Sequence, residues 1–165
     1  MSLMSVECPP RPARLRMSRA TPSMLIFAER LIAHEAGRTK TSGAGSPTAF
    51  PVPEKLRLPL VALMGSGGYR ALLSRALALA HAEIPRLRMV VIDTDGALER
   101  VEELQAKLAP SELRECRVVL LAQLLGLLIA FIGPRLTSHV IGEIWPELHL
   151  DDLDFGRGGK NEKTA

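Results

Sequence analysis

The sequence predicts a mainly α fold: a compact helical domain over residues 56–148, built around a central hydrophobic helix at 118–132, with one short strand or hairpin near 88–93. Three observations carry this. Between Val118 and Ile132 thirteen of fifteen residues are apolar, and only Gln123 and Gly126 interrupt. The segments 69–83, 97–108 and 135–145 repeat apolar residues at i, i+3, i+4 and i+7, the spacing of a helix with one buried face. One run alone, Arg88 to Asp93, has the β-branched content of a strand, and Asp95-Gly96 after it signals a turn.

Residues 1–20 hold four Arg and one Glu among Pro9, Pro10 and Pro12, a composition that reads as a disordered basic arm. The arm lacks the apolar stretch of a secretory signal, and its prolines argue against an amphipathic transit helix. Thr21-Pro22 opens a short helix, with Thr as N-cap and Pro at the first helical position, and Gly37 closes it. Met24, Leu25, Phe27, Ala28, Leu31 and Ile32 fall at helical spacings, leaving Glu29, Arg30, His34 and Glu35 for the outer side. Residues 38–55 turn to Gly, Ser, Thr, Ala and Pro and read as a flexible linker. The helix at 21–37 is therefore expected to be tethered to the main domain as a docking element.

Leu60 to Met64 is a short apolar run ended by Gly65, Ser66, Gly67 and Gly68. Helix 69–83 follows, with Tyr69, Leu72, Leu73, Ala76, Leu77, Ala80 and Ile84 as its stripe and Pro85 as its stop. Helix 97–108 turns Leu98, Val101, Leu104 and Leu108 inward and is broken by Pro110. At 1.5 Å per residue, segment 118–132 spans about 22 Å, short of the roughly 30 Å hydrocarbon core of a bilayer, so it is expected to be buried rather than membrane-spanning. Pro134 breaks it, helix 135–145 ends at Trp145-Pro146, and the acidic, then glycine-rich stretch 149–165 reads as a disordered tail.

The formal charge of +3 comes from the arm, since residues 59–145 hold nine basic and nine acidic groups. A face that tracks nucleic-acid phosphates would mark the compact region, so no nucleic-acid partner is expected. Cys8 and Cys116 form no CxxC motif and no disulfide framework, which points to a reduced, cytoplasmic setting.

The window from Leu60 to Asp95 has the outline of a βαβ unit, in which Gly65, Ser66, Gly67 and Gly68 would offer backbone N–H groups to a phosphate, with Arg70 beside them. Arg70 stands where the third glycine of a dinucleotide fingerprint belongs, and no P-loop Gly-Lys-Ser/Thr is present. The stretch from Ser66 to Ala71 resembles the oxyanion loop of patatin-like phospholipases, but no Gly-x-Ser-x-Gly elbow follows. Val91 to Gly96 resembles the first motif of haloacid-dehalogenase-like phosphatases, with Asp93 and Asp95 as its acids, but Ala97 replaces the usual Thr. His139 and Glu143 lie one turn apart without a second pair to complete a metal shell, so no catalytic set, metal or cofactor is assigned.

Two sets suggest association instead. Ala122, Gly126 and Ala130 repeat at i+4, a small-residue stripe that lets another helix approach closely. Arg70, Ser74 and His81 share one side of helix 69–83 and suit an acidic partner. The runs Gly68 to Leu77, Ala122 to Leu128 and Phe131 through Trp145-Pro146 resemble a group of small bacterial helical proteins with no assigned function, over about residues 60–146; the resemblance implies a helical domain and a bacterial cytoplasm and transfers no activity. The expectation is a non-catalytic module that binds a protein partner or itself as a homodimer. Ligand binding at the glycine turn and peripheral membrane association through 118–132 are the alternatives.

Overall fold

Five α-helices and a single two-stranded hairpin make up the computed structural model, which describes residues 20–42, 49–148 and 150. The fold is mainly α, as its sequence predicts. The expected disorder of arm and tail lies outside the described residues, apart from Ala20 and Leu150, as do residues 43–48 of the expected linker.

Helix α1 (Pro22–Ser42) begins where the sequence places it, with the Met24 N–H donating to Thr21 Oγ1 at 3.3 Å. It does not stop at Gly37. A helical glycine costs only about 1 kcal/mol relative to alanine, and the packing of Met24, Phe27, Ala28, Leu31 and Ile32 outweighs that. These residues join the same core as the rest of the chain, with α1 lying against α4. The tethered docking element is thus corrected to an integral core helix. The linker shortens accordingly, because residues 38–42 and 51–55 are helical and Ala49, Phe50 and Val52 are buried.

Helix α2 (Pro51–Glu83) absorbs both the Leu60–Met64 run and the expected helix 69–83. Pro51 and Pro53 sit in its first turn, where their missing N–H groups cost no helical bond. Gly65 breaks it with φ 78° and ψ 166°. The Tyr69 hydroxyl donates to the Pro53 carbonyl at 3.1 Å, although sixteen positions of straight helix would separate the two by about 24 Å. The chain therefore doubles back at Gly65, and Val52, Leu56 and Leu60 on one arm share the core with Leu73, Ala76 and Ala80 on the other.

A 3-10 turn (Pro85–Met89) leads into β1 (Val91–Ile92), which pairs antiparallel with β2 (Leu98–Glu99) in the register Val91↔Glu99 and Ile92↔Leu98. The expected strand at 88–93 is shorter, and the expected helix 97–108 starts later, as α3 (Val101–Lys107), because Leu98 and Glu99 pair with β1. Gly96, at φ 84°, passes so close to the Tyr69 ring that a Cβ there would lie 3.1 Å from it.

Helix α4 (Pro110–Ile132) starts eight residues before the expected 118. Pro110 opens it, and the Glu112 carboxylate accepts the Ala109 N–H at 3.0 Å while pairing with Arg86. Its first turns are amphipathic, with Leu113 and Cys116 inward and Arg114 and Glu115 outward. From Val118 to Gly126 every residue is buried, against α2, α1 and α5 (Pro134–Ile144). Leu120, Leu121, Leu124 and Leu125 are at most 1% exposed, so each contributes about 2 kcal/mol of burial. Gly133 turns the chain at φ 87°, and α5 ends at the sole tryptophan, Trp145, which is fully buried.

Candidate functional site

Each residue group singled out by sequence can be placed on this frame. Gly65, Ser66 and Gly67 are exposed at the reversal of α2, and Gly68 is half-buried. The run before them is helical and the two short strands are antiparallel, so the βαβ outline is corrected to a helical reversal. Two-residue strands joined by a tight turn cannot form the parallel crossover that such a site needs. Asp93 is likewise occupied in its turn: its Oδ1 accepts the N–H groups of Asp95 and Ala97, each at 2.8 Å.

Of the small-residue stripe, Ala122 and Gly126 are buried within the chain and only Ala130 is exposed. Close approach at Ala122 and Gly126 thus serves packing inside the chain, which removes them as an interface. On α2, Arg70 and Ser74 are exposed, but His81 is half-buried and its Nε2 is enclosed without a hydrogen-bond partner among the described residues. Burial lowers the His81 pKa, a hydrogen bond to the Leu87 backbone partly offsets this, and Arg88 adds to the lowering. An imidazole held neutral and turned toward the 3-10 segment does not present a charge with Arg70 and Ser74 to an acidic partner. Cys116 is a buried free thiol, its pKa raised by burial and by the neighbouring Glu115. His139 and Glu143 meet at 3.4 Å, both exposed.

Sequence reasoning placed Glu35 outside, yet it is the joint of three helices. It is 1% exposed, accepts the Trp145 indole N–H at 2.8 Å and pairs with Lys55 of α2. Beside it the His34 Nε2 lies 3.2 Å from Glu147. Burial pushes the Glu35 carboxyl up, but the hydrogen bonds from Lys55 and Trp145, with the charges of Lys55 and Arg38, outweigh it and hold the group below its ordinary value. The signal was present in the phase of α1: Met24, Ala28, Leu31 and Glu35 are spaced 4, 3 and 4 apart, on one stripe. The arrangement clamps α1, α2 and α5 together, and both oxygens of the carboxylate are engaged.

An open groove of about 500 Å³ runs between α1 and the start of α4, lined by Glu29, Pro110, Ser111, Arg114, Glu115 and Val118. Its charged side chains are exposed and of both signs, so it lacks the desolvated groups that orient a small ligand. No group of metal-ligating side chains occurs among the described residues.

Among the described residues the fold also leaves six large apolar side chains exposed. Phe131 is 74% exposed, Leu58 79%, Leu63 48% and Leu136 37%, with Ile26 and Val91 also exposed. Phe131 and Leu136 flank the Gly133-Pro134 corner between α4 and α5, next to exposed Ala130. Comparison with protein-family models, curated proteins and solved structures found no match to this chain.

Proposed function

We propose that this chain is a non-catalytic helical module that docks on a second surface through side chains its own core leaves exposed, in a reduced, cytoplasmic setting. The observation that supports it is Phe131, largely exposed at the end of the most apolar helix with Leu136 beside the same corner. A large apolar side chain left in water gains about 2 kcal/mol when a partner covers it. The partner suggested by the sequence is a protein, a second copy included.

Replacing Phe131 with Asp tests this. The variant is expected to keep its thermal midpoint, since surface changes shift stability by only about 0.5 kcal/mol, while any self-association measured by light scattering falls. A large loss of stability would make Phe131 a core residue and end the reading.

The length of α4 favours a second reading, in which the surface is a membrane. As folded, the helix has 23 residues, about 34 Å, and contains a window of mean hydropathy 2.1, so it no longer falls short of a bilayer as segment 118–132 does. Since 61% of that window is buried by the chain itself, the contact in this reading is peripheral, made by exposed residues rather than by a spanning helix.

A further inference from the structure

The balance of nine basic and nine acidic groups over residues 59–145 hides a segregation. All but one of those acids, Glu143, fall between Glu83 and Glu115. No Asp or Glu occurs from Lys55 to Ala82, or from Val118 to Gly142. These two stretches comprise most of α2, the apolar part of α4 and most of α5, and α2 packs against both α4 and α5.

Single exposed apolar residues are ordinary on a protein surface. Here four of the six large ones among the described residues, Leu58, Leu63, Phe131 and Leu136, lie on the two acid-free stretches. The same stretches carry Arg57, Arg70, Arg75 and Arg135, none of which forms an ion pair with another described residue. Arg70, Arg75 and Arg135 are exposed, and Arg135 sits directly between the Gly133-Pro134 corner and Leu136.

We infer that the second surface is an anionic lipid bilayer, met by the exposed residues of these two acid-free stretches. Each part of the pattern has a role there. The exposed leucines and the phenylalanine enter the boundary between headgroups and acyl chains, and the arginines meet lipid phosphates. Both stretches lack carboxylates of their own, which lowers the repulsion that would oppose the approach. Exposed aliphatic side chains among the cations distinguish this from a single-stranded nucleic-acid surface, where bases stack on aromatics. The inference rests on the docking reading above and names the surface.

The test uses the full chain sedimented with vesicles of phosphatidylcholine alone and of phosphatidylcholine mixed with phosphatidylglycerol, beside light scattering without lipid. Binding to the mixed vesicles and little to the neutral ones is expected. Leu58→Asp with Phe131→Asp should weaken it at least tenfold, as should Arg70→Glu with Arg75→Glu, each with unchanged circular dichroism and thermal midpoint. The arm arginines, Arg11, Arg14, Arg16 and Arg19, are the internal control: binding that vanishes when all four become Gln, yet survives both double variants, overturns the inference. Equal binding to neutral vesicles overturns it as well. No binding to either vesicle, with a self-associated mass that Phe131→Asp reduces, overturns the lipid surface and leaves the docking reading standing. No binding and a mass indifferent to Phe131→Asp overturns both.

Discussion

Glu35 is the residue whose chemistry bears most on stability. Its folded pKa lies below the ordinary 4.5, so the stability it contributes is complete above that value and is lost as pH falls through the folded value. Glu35→Gln keeps an acceptor for the Trp145 N–H but loses the charge opposite Lys55, which is 40% exposed and can return to water. We expect a cost of about 1 kcal/mol near neutrality, with the gap to the parent narrowing in thermal melts as pH falls below 4.5. Glu35→Leu leaves the buried indole N–H without its acceptor and should cost about 2–3 kcal/mol. If the two proteins differed by the same amount at low pH, the carboxylate would not be the cause. Gly65 is the other residue on which the fold turns. No atom lies within 4 Å of an added Cβ, so the penalty of Gly65→Ala is purely conformational. At φ 78° and ψ 166° it should be about 1–3 kcal/mol, read from urea unfolding. An unchanged midpoint would mean that the reversal tolerates an ordinary residue.

At the scale of elements, the helical stripes of α2 and α5 were legible because burial repeats with the turn of the helix, and α4 was legible from its almost unbroken apolar run. Boundaries were less so, and each discrepancy has a local reason. Pro110 reads as a stop for the helix before it, yet it starts the one after, since its missing N–H costs nothing in the first turn. Gly37 reads as a terminator, but nothing nearby punishes its staying helical, and α1 continues. Leu60 to Met64 reads as a strand because a short apolar run has no period of its own, and only the reversal at Gly65 explains its burial. Of the candidate site, the exposed Arg70, Ser74 and Ala130 could be named from sequence. Glu35 required the phase of α1 to be followed one residue type further, and Leu58 and Phe131 stand out only once neighbouring elements fail to cover them. Gly126 gives the prediction at this scale. Replacing it with Leu forces volume into a closed core and should cost about 1–3 kcal/mol in thermal or chemical unfolding without changing the molecular mass in solution. A change of mass with stability intact would return the stripe to the surface.

For the whole molecule, the division of charge matters more than its sum. A chain of +3 overall with neutral middle residues carries acids from Glu83 to Glu115 and cations without acids over residues 55–82 and 118–142. If that polarity guides docking, association with mixed vesicles should weaken steeply as salt is raised, because exposed charges are screened over about 10 Å at 0.1 M. Binding that persists unchanged in high salt would assign the contact to apolar residues alone. The joint at Glu35 adds one further property. Trp145 is the only tryptophan, and its ring nitrogen is bonded to a carboxylate 110 positions away, on the first helix. The molecule therefore carries its own optical gauge, set where its first and last helices meet. Loosening of α1 would be visible as a change in the emission of a single fluorophore, with no label attached, whether or not the remaining helices had moved.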